Sequence, residues 1–350
     1  MRTSTLVAVL ATGLAACIGA AMANRNAADR RAIDGGAPVR RQDPQQTEID
    51  KKTVLPLPAI RAPKGLGDEA FEHVRAITAF GERRTGNPPT PGWTRQLDYI
   101  EAQCHKLGLE VVRDTWTDAK EHLTFTNLSA TIPGKKHERI VLCCHHDTKR
   151  TSGHADPEHN FDFVGANDGG SGVGVLLALA PVLLAEKREA TIELVFFDGE
   201  ESLDWAWNDA ARALFGSKRF AKRHRDALLL GEEPRIEALV LLDMVGGKDL
   251  HLQEELYSTP RLRRILWSAA VACGHEKRVF QRAEAANDDH KPFLDVGIPA
   301  LDLIDLNGNP TWHKPTDTLE NVSPASLQIT ADLVLTMLPE IERAYVLRQN

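Results

Sequence analysis

Asp168 sits inside the glycine-rich run Phe163-Val-Gly-Ala-Asn-Asp-Gly-Gly-Ser-Gly172, and the run Leu194-Val-Phe-Phe-Asp-Gly-Glu-Glu201 ends in the adjacent carboxylates Glu200 and Glu201. The first run hands a carboxylate to a site and then opens an apolar helix. The second is an apolar strand that stops abruptly in charge. Neighbouring residues on an extended segment point to opposite sides, so Glu200 and Glu201 are expected to divide the work, one binding a metal and one moving protons. Further groups follow the same rule. His145 and Asp147 come after Ile140-Val-Leu-Cys-Cys144, and Asp243 after Ala238-Leu-Val-Leu-Leu242. Asp289 and His290 precede Pro292-Phe293, and Trp312-His313 follows the apolar run ending at Ile304. This set of oxygen and nitrogen donors without thiols suits a catalytic zinc that keeps one coordination position open.

Each residue alone has a plainer explanation. A lone His at a strand end is more often a satisfied polar group, a Glu pair is usually solvated, Asp243 could cap a helix and Trp312 could be core. The ordered set is harder to dismiss. Successive segments each deliver a carboxylate or His beside a core strand, where charge needs a partner or a metal.

The elements that must position these groups alternate. Helical spacing runs over Asp68–Phe80 and Trp93–Leu107, separated by the turn-rich stretch Gly86–Gly92. Strands are predicted at Leu109–Thr115, Phe125–Ile132, Arg139–Cys144, Ala190–Phe197, Ile236–Met244 and Ile298–Ile304, with helices at Ser171–Glu186, Ala210–Arg223, Pro260–Cys273 and Pro324–Arg348. That order implies a single-domain, three-layer α/β/α fold around a mixed, mostly parallel central sheet, with the zinc site at the C-terminal strand ends.

Length and composition agree with a globular domain. The chain has 350 residues, 42% hydrophobic and 26% charged. Its formal net charge of −7 argues against a nucleic-acid partner, which would need a basic face, and a monomer is expected. Residues 1–23 read as an export signal: Arg2, then the apolar run from Leu6, then small residues. Ala21-Met-Ala23 offers an ordinary cleavage site, whereas Leu14-Ala-Ala-Cys17 resembles a lipobox that would anchor Cys17 to lipid. The destination is the periplasm or the exterior. Residues 24–64 are polar and proline-dotted and read as a tether or an arm on the surface, so the catalytic domain is expected to begin near Gly65. Cys104, Cys143, Cys144 and Cys273 show no C-x-x-C spacing, and thiolate zinc is not expected.

The ordered pattern His145-x-Asp147, Asp168, Glu200-Glu201, Asp243 and His313 resembles the zinc-dependent aminopeptidase superfamily of exopeptidases. Within it, Phe163-Val-Gly-Ala-Asn-Asp168, Phe196-Phe-Asp-Gly-Glu-Glu201, Phe215-Gly-Ser217, Leu241-Leu-Asp243, Asp288-Asp-His-Lys-Pro-Phe293 and Trp312-His313 resemble glutaminyl-peptide cyclotransferases (glutaminyl cyclases), from about Leu66 to the C-terminus. The resemblance implies one zinc held by Asp168, Glu201 and His313, with Glu200 as proton carrier. It also implies Asp243 and Asp289 hydrogen-bonding beside it, and an aromatic wall of Trp205, Trp207 and Trp312. One departure stands out. Cys144 matches half of a disulfide in the animal enzymes, but the residue directly after Asp168 is Gly169 and not a cysteine.

By that resemblance, the substrates are peptides or proteins with N-terminal glutamine, whose α-amine attacks the γ-amide carbon and expels ammonia. The rival is a zinc aminopeptidase in which His145 and Asp243 hold a second ion, Asp168 bridges and Glu200 activates water. The chain keeps every residue type that rival needs, so counting ligands leaves both readings open.

Overall fold

The structure, a computed structural model, describes residues 47–347. Two helices come first. Helix α1 (Leu66–Thr78) buries Leu66, Ala70, Val74 and Ile77 along one side. Helix α2 (Pro91–Lys106) starts where Thr90 accepts the Trp93 N–H and Pro91 fills the first helical turn. Strands β1 (Val111–Thr117), β2 (Thr124–Ile132) and β3 (Arg139–His145) follow. Helix α3 (Gly170–Ala185) leads to β4 (Thr191–Phe197), α4 (Phe215–Leu230) and β5 (Ile236–Asp243). The remaining elements are β6 (Leu252–Glu255), α5 (Pro260–Cys273), β7 (Val279–Glu284), α6 (Lys291–Asp295), β8 (Ala300–Ile304) and α7 (Pro324–Ile341).

Six strands form one sheet in the order β1-β2-β4-β3-β5-β8. Strands β4, β3, β5 and β8 run parallel, while β1 and β2 join antiparallel at one edge. The expected mixed, mostly parallel sheet is therefore present. Alternation along β3 shows why there are three layers. Ile140, Leu142 and Cys144 belong to the larger core with α1, α3, α5 and α7. Val141 and Cys143 point the other way, into a smaller core with Ala221 of α4 and Phe293 of α6.

Helix α3 is apolar on all sides and buried almost throughout, as befits a helix trapped between the sheet and α1. Gly174 permits that closeness, because a Cβ there would lie 2.7 Å from the Ala70 carbonyl oxygen. Every parallel strand of this layer ends on the same side, and the charged residues cluster at those ends.

Three expectations need correction. Helix α4 begins at Phe215 rather than Ala210, because Leu214 takes a left-handed φ of 57° and residues Ala210–Arg212 form a separate short turn. The parallel pair β6–β7 was not anticipated. Of the two readings of the 24–64 arm, the described part is an arm held on the body, and it is the boundary near Gly65 that shifts. The Ile49, Leu55, Ile60 and Ala62 N–H groups donate to Glu254, Ser268, Thr336 and Asp332, so the compact body begins before Gly65. The signal, Cys17 and residues 24–46 lie outside the described residues.

Candidate metal centre and its cavity

His145 is the last residue of β3 and almost fully buried. Its Nε2 lies 3.1 Å from Asp243 Oδ1 and 3.3 Å from Asp168 Oδ1, and its Nδ1 lies 3.5 Å from Asp147 Oδ1. Burial works against a charge on this imidazole, but the carboxylates of Asp147, Asp168 and Asp243 outweigh it and raise its pKa well above the usual value. Asp147 also shapes the next loop. Its two oxygens accept the N–H groups of Glu200 (3.1 Å) and Glu201 (3.3 Å), which fixes where the two glutamates leave β4.

The two glutamates diverge as their spacing requires. Glu201 Oε1 lies 3.1 Å from His313 Nε2 and its Oε2 lies 3.4 Å from Lys149 Nζ. Burial alone would raise the Glu201 carboxyl; His313 and Lys149 reverse this and hold it at about 2. Glu200 has no such partners. Its Oε2 is 4.0 Å from His145 Nδ1, and burial pushes its pKa well above the ordinary carboxylate range. The same strand end thus presents a carboxylate held low and one pushed high, the second readier to gain a proton.

Asp168 arrives from the glycine loop. Gly169 beside it has φ 77°, and a Cβ there would lie 2.4 Å from the Asp147 carbonyl oxygen, so the turn accepts only glycine. One donor atom from each of Asp168, Glu201 and His313 lies within 4.8 Å of the others, and so does one from each of His145, Asp168 and Asp243. Asp168 belongs to both sets. Its Oδ2 is buried without a hydrogen-bond partner, and burial and Glu201 together raise its carboxyl. Crowded buried carboxylates with an orphaned oxygen and an imidazole opposite fit a hard or borderline cation such as zinc.

A cavity of about 610 Å³ opens over these groups. Asp168, Glu200, Glu201, Asp243 and His313 line it, together with Trp205, Trp207 and Trp312. All three tryptophans expected at the wall are there. His159 stacks on Trp205 at 3.7 Å between ring centres, which braces that wall.

The aspartate pair behaves differently from expectation. Asp288, not Asp289, lines the cavity. Asp289 is fully buried beside Ser217, and burial pushes it up to about 7. Asp288 is driven well above the usual value by burial and by Asp243. Behind it stand Asp302, His290 and Glu255, all almost fully buried; His290 lies 3.0 Å from Glu255 Oε2 and 3.6 Å from Asp302 Oδ2. Lys149 and Asp317 were also missed. Each lies four residues past a chemical residue, His145 and His313 respectively, and no periodicity marks either.

A parallel-sheet core with acidic and imidazole donors converging at its strand ends defines a metal-dependent α/β enzyme. The chain belongs to Peptidase family M28, whose sequence profile matches residues 127–338. It is 30% identical over 268 residues to a glutaminyl-peptide cyclotransferase of Drosophila melanogaster, covering 68% of this chain and 71% of that one. The solved glutaminyl cyclase of an Acidobacteriales bacterium superposes with a TM-score of 0.70 at 33% identity, over 83% of this chain and 99% of the other. A leucine aminopeptidase precursor from Bacteroides thetaiotaomicron superposes with a TM-score of 0.69 at 25% identity, over 82% and 99%. The expected resemblance to glutaminyl cyclases holds in both sequence and fold.

Proposed function

We propose that the protein is a glutaminyl-peptide cyclotransferase, converting the N-terminal glutamine of peptides or proteins to pyroglutamate with release of ammonia. The observation that carries it is the division of labour at the end of β4, beneath a tryptophan-walled cavity. Glu201 is held ionised beside His313, and Glu200 faces the same cavity with a raised pKa. The likeness to named glutaminyl cyclases supports the choice.

Asp168, Glu201 and His313 would hold a zinc ion, which when bound supplies Lewis acidity toward the γ-amide carbonyl. The chain's own residues do the rest. The substrate α-amine attacks the γ-amide carbon; a C–N bond to that amine forms and the bond to the amide nitrogen breaks. Glu200 accepts the proton lost by the amine and returns it to the departing nitrogen, which leaves as ammonia. Asp288, whose carboxyl is pushed well above the usual range by burial and by the Asp243 charge, offers a protonated oxygen that hydrogen-bonds the departing nitrogen while Glu200 delivers the proton. Trp205, Trp207 and Trp312 close the sides and exclude water that would hydrolyse the amide instead.

One observation favours a second reading. His145, Asp168 and Asp243 form a second donor set, as a dinuclear aminopeptidase would require, and a leucine aminopeptidase precursor shares the fold. Assaying a glutaminyl dipeptide for ammonia release, beside hydrolysis of a leucine anilide and zinc per chain, separates the two. Leucine release without ammonia from glutamine would overturn the cyclase reading.

The leader supports export to the periplasm or exterior, with Cys17 as lipid anchor if the lipobox is used and residue 24 as the mature N-terminus if Ala23 is the cleavage point. N-terminal mass spectrometry of protein from its host distinguishes these, and an unprocessed Met1 would defeat both.

A further inference from the structure

A second cavity of about 320 Å³ lies across Trp207 and Asn287, which also line the first. Its other walls come from α4 with the segment before it and from α6 with Val296, and they carry three lysines, Lys218, Lys222 and Lys291, against one carboxylate, Asp295. Two of the lysines have acidic partners. Lys222 Nζ is 2.7 Å from Asp226, and Lys291 Nζ is 3.9 Å from Asp295 while also lying 4.3 Å from the centre of the Tyr257 ring. Lys218 differs. It is half-buried, its ammonium donates to the carbonyls of Ala210 and Ala213, and among the described residues no carboxylate pairs with it. An ammonium has three donors, so one is left for a ligand.

We propose that this groove is a substrate subsite that selects an acidic side chain at the second or third residue of the peptide. The inference rests on the cyclase reading of the first cavity and extends it to the chain beyond the glutamine. With the glutamine side chain held above the metal ligands, the peptide must leave past the rim. An extended chain advances about 3.3 Å per residue, so a peptide leaving over the shared Trp207–Asn287 ridge brings its second or third residue to the groove. The groove beyond is cationic in a protein whose overall charge is −7, so its sign is local and not inherited from a basic surface. Asp289, Asp209 and Asp295 lie near enough to act on Lys218, but none is in direct contact among the described residues, and a half-buried ammonium with a spare donor is a suitable seat for a carboxylate.

The test compares Gln-Glu-Glu, Gln-Ala-Ala and Gln-Lys-Lys tripeptide amides on the zinc-loaded full-length protein at low salt. The acidic peptide should have a KM lower than the alanine peptide by about fivefold, as for a partly exposed ion pair, with similar kcat; the lysine peptide should be worse than both. Lys218→Met should erase the difference, Lys218→Arg should restore it, and Lys222→Gln, on the exposed side, should reduce it without touching the carbonyl contacts. Cyclisation of glutamine amide, which does not reach the groove, should be unchanged in all three. Equal KM for the three peptides, or a preference that survives Lys218→Met, would overturn the subsite. If no peptide is cyclised, the cyclase reading fails on its own. The groove is then judged by tryptophan fluorescence with pyroglutamyl-Glu-Glu amide as probe. Binding that weakens with salt and with Lys218→Met sustains it, and binding indifferent to both overturns it.

Discussion

The carboxylate of Asp317 accepts the backbone N–H of Asp168 at 3.0 Å, and its other oxygen accepts the N–H of Asn167 at 2.8 Å. Asp317 lies on the loop that carries His313, so one side chain ties the loops bearing two of the three proposed ligands. Neither loop belongs to the sheet, and a backbone bond from the Ala166 N–H to the Asp317 carbonyl adds to the tie. The buried guanidinium of Arg83 adds a second tie, donating to the Val164 and Gly165 carbonyls of the glycine loop.

Asp317→Ala should therefore weaken zinc binding although Asp317 is not a ligand. Supporting groups of this kind are worth roughly 10–100-fold in metal affinity, and two buried N–H groups left unpaired cost about 1–3 kcal/mol each. Asp317→Asn, which keeps one acceptor, should fall between. Competition with a chelator measures the affinity, and wild-type zinc affinity in Asp317→Ala would refute the tie.

The two neighbouring aspartates give a sharper test. Because Asp288 lines the cavity and Asp289 is turned to Ser217, Asp288→Asn should lower kcat by roughly 10²-fold or more, as loss of a group acting on transferred protons does. Asp289→Asn should act chiefly on stability. Turnover of the two variants, with thermal midpoints beside it, decides. A larger kcat loss in Asp289→Asn would return the role to the residue first expected to hold it.

Much of this was legible because apolar strands ending in charge are hard to produce by chance. Glu201 and His313 are 112 positions apart, yet each was marked by its own strand, so their meeting needed only the fold class. The choice between Asp288 and Asp289 was not legible, since both sit in a turn whose direction is set by packing and not by period. Strand β6 hid for a different reason. Leu252-Gln-Glu-Glu255 looks like surface, but Glu254 is buried against Arg263 and the Ile49 N–H, and Glu255 against His290. Polar residues satisfied by distant partners carry no hydrophobic signal. Helix α4 was placed five residues early because the stretch before it is rich in alanine, and the left-handed turn at Leu214 is invisible to propensity.

Asp305 offers a pH prediction away from the metal. It is 5% exposed, accepts the His251 N–H at 3.0 Å, and burial pushes it up to about 6 from 3.8. A folded pKa above the unfolded one favours the native state below about 4, an advantage lost as pH rises through about 6. Asp305→Asn keeps an oxygen to accept the same N–H but never ionises. It should match wild type near pH 4 and be more stable at pH 8, by at most about 3 kcal/mol for a shift of roughly two units. Urea denaturation at the two pH values checks this, and an equal difference at both would refute it.

The last prediction separates proton carrier from ligand in the Glu200–Glu201 pair. Glu201 faces His313 and Lys149 and stays ionised; Glu200 faces His145 at 4.0 Å with its pKa raised by burial. Glu200→Gln keeps shape and polarity but cannot accept a proton, so it should retain zinc and bind substrate nearly normally while losing turnover. General acid–base transfer is worth roughly 10²–10⁴-fold, and the loss should lie near the top of that range because one carboxylate serves both proton steps. Wild-type kcat/KM should fall as pH drops through the raised Glu200 value, since the base must be ionised to act, and the residual activity of Glu200→Gln should lack that limb. Glu201→Gln removes a charged donor from the Asp168–His313 set instead. It should lose zinc first, leave Lys149 without its nearest carboxylate, and regain part of its activity when zinc is added. Zinc per chain beside kcat for the two variants decides the matter. Equal zinc loss in both, or near-normal turnover in Glu200→Gln, would mean the two glutamates have been given each other's work.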